Sequence, residues 1–156
     1  MREELDLKLV EKYPKIFKDR YAPMTETAMC WGFDIGDGWY PIISSLCFQI
    51  QNHIDWSQKS HDWDITWNEE HPDQQRPIRG IVPQVVATQV KEKFGGLRFY
   101  YEGGDDTIDG MVSMAEEWAT KTCEDCGNVG TMRRGGWIRT LCDEHADERN
   151  YSNGDI

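Results

Sequence analysis

The feature that most constrains this chain is Cys123-x2-Cys126, followed after fifteen residues by Cys142-x2-His145. Four soft or borderline donors in two close pairs are spaced so that two tight turns, or knuckles, can close a tetrahedron on one metal ion. Each two-residue spacing lets backbone amides turn back toward sulfur, and Gly127 tolerates the tight conformation that must follow Cys126. The donor set selects zinc, Zn2+, one ion per chain. Between the pairs, VGTMRRGGWIRTL reads as two short strands around Gly135-Gly136, and the second knuckle opens a final short helix; residues 121–150 are therefore expected to form a zinc ribbon. Four protein ligands saturate zinc, which makes the ion a structural staple. The opposing reading, a zinc-dependent hydrolase, requires His145 to leave the metal and water to take its place.

With 156 residues and 38% hydrophobic composition the chain is expected to be a single domain, 1–156, burying roughly 70% of its unfolded surface. Its opening, MREELDLKLVEKY, alternates charge with single apolar residues and has no stretch suited to a secretory signal or a membrane span. A cytoplasmic location follows, with no membrane partner, and Cys30 and Cys47 are expected to stay reduced. Twenty-eight acidic residues against 17 basic ones give a formal charge of -11, which argues against duplex nucleic acid as the partner. An acidic protein of this kind is either simply soluble or fitted to a basic surface on another protein.

Along the chain, Leu5, Leu9, Tyr13, Ile16 and Phe17 have helical spacing, with Pro14 dividing a helix from a short turn. CWGFDIGDGWY, 30–40, reads as a turn or tight hairpin that brings Trp31 and Trp39 together. A helix opened by Pro41 carries Ile42, Ile43, Leu46, Ile50 and Ile54 on one face with Cys47 beside them, completing an N-terminal helical part, 1–54. Residues 55–83 lose periodicity and are expected to be an irregular acidic insert. Residues 84–120 read as a β-hairpin turning at Gly95-Gly96, with Val86, Val90 and Phe94 on one face. A helix from about 107 to 120 follows, capped by Asp105 or Asp106, with Ile108, Met111, Val112, Ala115, Trp118 and Ala119 on its stripe. The expected fold class is α+β: a small antiparallel sheet with packed helices and the C-terminal ribbon.

Two surfaces are candidates for binding. Long loops in small domains are often functional, and tryptophan favours interface hot spots, so Trp56, Trp63 and Trp67 with Asp62, Asp64, Glu69 and Glu70 are read as a surface for a protein partner. The alternative is an anionic small molecule such as a nucleotide, held by charge and stacking at the hairpin by Lys91, Lys93, Phe94, Arg98, Phe99 and Tyr101. Arg133 and Arg134 admit the same reading. No phosphate loop, nucleophile elbow or dinucleotide fingerprint is present, which favours a non-enzymatic binding protein. A Cys-His pair built from Cys30 or Cys47, or a second metal on His61, Asp62, Asp64 and His71, lacks any supporting spacing.

KEKFGGLRFYYEGGDD, the helix after it, TCEDCG and GWIRTLC together resemble a family of small zinc-ribbon-bearing proteins of tailed phages, prophages and bacterial genomes, one with no assigned activity. The resemblance covers about 84–145 and extends weakly to KYPKIF and CWGFDIGDGWYPII. The family more often places a cysteine at the fourth ligand position, where this chain has His145. The resemblance implies an accessory protein, in the host cytoplasm if phage-encoded, that engages and modulates a host or defence protein.

Overall fold

Helix α1 (Glu3–Lys12) places Glu3, Glu4 and Asp6 in its first turn and Lys12 in its last, charges that suit the helix dipole. The computed structural model describes residues 1–151, so the last five positions of the expected single-domain span lie outside the described residues. Pro14 ends the helical register, and Leu9, Tyr13, Ile16 and Phe17 are all buried, as their spacing predicts. Asp6 is buried with them because Arg20 clasps it through Nε and Nη2 at 2.8–3.2 Å and donates Nη1 to the carbonyl of Cys30.

Residues 30–40 do not form the expected hairpin. Two 3-10 turns, Ala28–Trp31 and Asp37–Trp39, flank a two-residue strand β1 (Phe33–Asp34) that pairs in parallel with β2 (Val86–Lys93), Phe33 opposite Val90, and β2 in turn pairs with β3 (Gly96–Glu102). That pairing makes the three-stranded sheet, ordered β1-β2-β3, mixed rather than antiparallel. Trp39 is fully buried and Trp31 is 70% exposed, so the two indoles occupy different environments. The glycines serve another purpose: a Cβ on Gly36 or Gly38 would collide with the carbonyl oxygens of Glu124 and Cys123.

Helix α2 (Tyr40–Glu70) has Pro41 in its first turn and buries Ile43, Leu46, Cys47, Ile50 and Ile54. It does not stop there. The helix runs 31 residues to Glu70, which overturns the irregular insert expected from residue 55. Apolar periodicity disappears because the inward stripe changes chemistry: Ser60 and Asp64 are buried on it and meet polar partners. Of the expected insert, only the part after the helix lacks regular structure, as the return that spans residues 71–85.

Strands β2 (Val86–Lys93) and β3 (Gly96–Glu102) form the expected hairpin, with two differences. The turn is centred one residue earlier, at Phe94 (φ 53°) and Gly95 (φ 78°), both left-handed as a two-residue hairpin of right-handed twist requires. Phe94 therefore stands at the tip, 69% exposed, instead of on a strand face. A bulge between Ala87 and Gln89 shifts the phase, so that Ala87 and not Val86 joins Val90, Leu97 and Phe99 in the core.

Helix α3 (Asp106–Ala119) is capped by Asp105, whose Oδ1 accepts the N–H of Ile108 at 3.0 Å. Ile108, Val112, Ala115 and Ala119 are buried as predicted, and the helix packs on β3 and α2. Trp118, expected on the same stripe, is 59% exposed at its edge, over an open apolar groove shared with Pro41, Ile42 and Met114. The C-terminal ribbon matches expectation: β4 (Thr131–Arg133) pairs antiparallel with β5 (Arg139–Leu141), and α4 (Asp143–Glu148) follows the second knuckle. The fold is α+β.

Candidate functional site

The donor atoms of Cys123, Cys126, Cys142 and His145 all lie within 4.8 Å of one another, and among the described residues no other group of His, Cys, Asp or Glu is arranged to hold a metal ion. The Cys126–Cys142 sulfurs are 3.8 Å apart, Cys123 Sγ is 3.6 Å from His145 Nδ1, and Cys142 Sγ is 3.1 Å from the same nitrogen. A tetrahedral shell with metal–sulfur bonds of about 2.3 Å has sulfur–sulfur edges of about 3.8 Å, so the four residues fit a metal ion. Backbone amides complete the knuckles: Asn128 N–H donates to Cys126 and His145 N–H to Cys142. The His145 amide first, opposed by burial and helped by the His145 ring, pulls the Cys142 thiol down to about 7. Gly127 takes φ 81° directly after the second ligand.

The first knuckle is seated on the N-terminal half of the chain. Gly38 N–H donates to the carbonyl of Glu124 at 2.7 Å, Gly36 N–H to Glu124 Oε1 at 3.1 Å, and Trp39 Nε1 to the carbonyl of Thr122 at 2.8 Å. Glu124, buried inside the knuckle, also accepts from Arg139 at 2.9 Å, while Asp125 bridges Arg139 and Arg149. Burial raises the Glu124 pKa against the opposing pull of Arg139. At the hairpin tip, Thr140 Oγ1 donates to the carbonyl of Gly95 at 2.6 Å and Trp137 Nε1 to Glu92 at 3.2 Å. The ribbon is thus locked to two separate elements.

The residues proposed for an anionic ligand at the hairpin are divided by the pleat. Phe99 is in the core, and Tyr101 gives its hydroxyl to Asp109, where burial and that carboxylate push its pKa up to about 12. Lys91 and Arg98 are directly opposed on the other face, and Lys93 lies near the tip with its ammonium 5.6 Å from the Phe94 ring. Arg133 is structural: it is buried, donates to the carbonyl of Leu141 and pairs with Asp143. Arg134 is exposed.

The acidic tryptophan surface is also rearranged. Trp56 and Trp63 are 68% and 47% exposed and, two turns apart, share one stripe of α2. Asp62 and Glu69 lie about 120° around the helix from that stripe. Asp64 is withdrawn altogether, buried and held by Arg79 through Nε at 2.8 Å, Nη2 at 2.9 Å and the backbone N–H at 3.0 Å. These bonds hold its carboxyl down at about 2. Trp67 is half-buried, stacked on His71 at 3.8 Å and covered by the Arg76 guanidinium, also at 3.8 Å. Glu70 is exposed at the end of the helix. What surrounds the exposed indoles is cationic: Trp56 and Trp63 line a groove of about 830 Å³ with Lys59, Ser60, Asp64, Arg76, Pro77 and Arg79. Sequence reasoning missed Lys59, Arg76, Pro77 and Arg79, whose one signal was their place among three tryptophans in an acidic chain.

The histidines are committed elsewhere. His53 pairs with Asp105 at 2.8 Å, His61 Nδ1 meets the carbonyl of Arg79 at 2.6 Å, and His71 lies on Trp67. No family model, curated protein or solved structure matches this chain. No helix among the described residues is long and apolar enough to cross a membrane.

Proposed function

We propose that this chain is a non-enzymatic binding protein, with a structural zinc ion on Cys123, Cys126, Cys142 and His145 and a recognition surface on the outer half of α2. The observation that carries this reading is the contrast between the two sites. The cysteine–histidine cluster already supplies four donors and is keyed into the fold through Glu124, which suits a saturated staple. By contrast, Trp56 and Trp63 stand exposed on a helix whose geometry is fixed from behind by Asp64 and Arg79. Exposed tryptophan on a rigid element, beside cations, is the composition of an interface hot spot. The partner is a protein; in the phage or prophage setting that the sequence resembles, it is a host or defence protein in the bacterial cytoplasm. A tagged pull-down from a bacterial host tests this: one stoichiometric protein should be retained by the wild type and lost with Trp56→Ala plus Trp63→Ala at unchanged metal content. Equal retention by both would overturn it.

One observation favours a second reading. Lys91 and Arg98 are directly opposed across strands, where like charges repel, and with Lys93 they make no ion pair among the described residues. An anionic small molecule on that face would relieve the repulsion. A thermal shift with nucleotides, abolished by Lys91→Glu plus Arg98→Glu and unaffected by Trp56→Ala, would support this reading over the first.

A further inference from the structure

The outer half of α2 already binds one extended ribbon, its own return strand. The backbone N–H groups of Arg76, Arg79 and Val82 donate to Asn68 Oδ1 at 2.7 Å, Asp64 Oδ2 at 3.0 Å and Ser57 Oγ at 2.9 Å. A repeat of three along a segment without regular hydrogen bonding is that of a polyproline-type ribbon, and this segment carries Pro77 and Pro83. The Trp56–Trp63 stripe lies about 100° around the helix from this one. It is the other wall of the groove whose near wall is Arg76 and Pro77.

We propose that this groove takes a second extended ribbon: a proline-containing acidic segment of the partner protein. The proposal rests on the reading of this arm as the recognition surface and adds the chemistry of what it recognises. Two observations carry it. The first is charge. Asp64 is clasped by Arg79, while Lys59 and Arg76 make no direct ion pair among the described residues, so the groove presents two further cations against that one carboxylate in a chain with eleven excess acids. The Arg76 guanidinium carbon is held over Trp67 and Trp63, at 3.8 and 4.8 Å from the ring centroids, which pre-orders a guanidinium for carboxylates. The second is pitch. Trp56 and Trp63 are separated by about 10.5 Å of helical rise, and prolines three apart in an extended ribbon by about 9.3 Å. Successive prolines therefore fall on successive indoles, the way aromatic-lined grooves read such ribbons, with acidic residues between them facing Lys59 and Arg76.

The test is a synthetic peptide with proline at every third position and glutamate between, titrated into the intact metal-loaded protein and followed by calorimetry. One-to-one binding that weakens with salt is expected, with at least a tenfold loss for Trp56→Ala and a comparable loss for Lys59→Glu. Both positions are exposed, and circular dichroism and metal content check that the variants fold. A lysine-for-glutamate peptide should not bind. No binding to the wild type, or equal binding to wild type and both variants, overturns the proposal. So does adenosine monophosphate competing for the same site with the same sensitivity to Trp56→Ala, which would make the groove a nucleotide site. The pull-down with Trp56→Ala alone separates the two ideas: if the partner is lost while the peptide never bound, the arm is the recognition surface and only the ribbon chemistry is wrong.

Discussion

Trp39 donates its indole N–H to the carbonyl of Thr122 at 2.8 Å, tying the residue that precedes α2 to the residue that precedes the first metal ligand. The bond spans 83 positions, and with the amides of Gly36 and Gly38 on Glu124 it ties the first knuckle, whose Cys123 packs in a small cluster with Leu141 and Ala146, to the main core that holds Trp39.

Metal removal should therefore be felt well beyond the ribbon. Zinc is expected at one ion per chain by elemental analysis, lost in Cys123→Ser and retained in Cys30→Ala and Cys47→Ala. Burial pushes the Cys47 thiol pKa up, which keeps it neutral and uninvolved. Chelation should also reduce the near-ultraviolet circular dichroism of the buried Trp39 ring. A metal-free protein with an unchanged spectrum would show that the knuckle is not coupled to the core.

Two glycine-to-alanine changes should have opposite signs. At Gly38 a Cβ would meet the backbone of Cys123, Glu124 and Gly127, none of which can swing away. Gly38→Ala should cost about 1–3 kcal/mol as an overpacking change. Gly110, inside α3, faces open space, and Gly110→Ala should stabilise by about 0.5–1 kcal/mol through helix propensity. Urea unfolding of the two variants decides both.

The Asp64–Arg79 pair sets an acid limit for the arm. The Asp64 carboxyl sits at about 2 in the fold, first because of the Arg79 side-chain bonds and next because of the Arg79 amide, against about 3.9 when unfolded. A depressed carboxylate stabilises fully above its unfolded value, so the contribution is constant above about pH 4 and disappears as pH falls toward 2. Asp64→Asn should lower the melting temperature at pH 7 and flatten its fall between pH 4 and 2. A variant whose melting temperature still tracks wild type across that range would contradict the assignment.

Helices α2 and α3 are joined by a similar device, His53 of α2 lying 2.8 Å from Asp105. His53 lowers the Asp105 pKa, first by its hydrogen bond, and Asp105 caps α3. Asp105→Ala removes both the cap and the partner of His53 and should destabilise by about 1–2 kcal/mol. Asp106→Ala, one residue into the helix, should have less effect on the same urea curve.

How much of this was legible in the sequence follows from how local each signal is. The ribbon was, because its ligands sit in pairs two residues apart and the strands between them are bounded by glycine. The first half of α2 and the stripe of α3 were, because their inward residues are apolar at helical spacing. The second half of α2 was not, since its inward positions are Ser60 and Asp64, and a polar inner stripe has no apolar period to detect. Nor was the parallel pairing of Phe33 with Val90, two residues meeting across 57 positions with no local signature. The glycines of DIGDGW were visible, but what they accommodate is a backbone more than 80 residues away.

The way the return strand is fastened has a consequence for cooperativity. Beyond Ile54 α2 contributes nothing to the apolar core, and the return segment is held to it by individual bonds from the backbone of Arg76, Arg79 and Val82 to Asn68, Asp64 and Ser57, with Val82 alone of the three also packed against the core. The exposed part of such a segment can open without unfolding the rest, so the amide protons of Arg76 and Arg79 should exchange with solvent long before those of β2 and α3. Whatever occupies the neighbouring groove would then also slow that exchange, so the same two protons report how firmly the arm is closed.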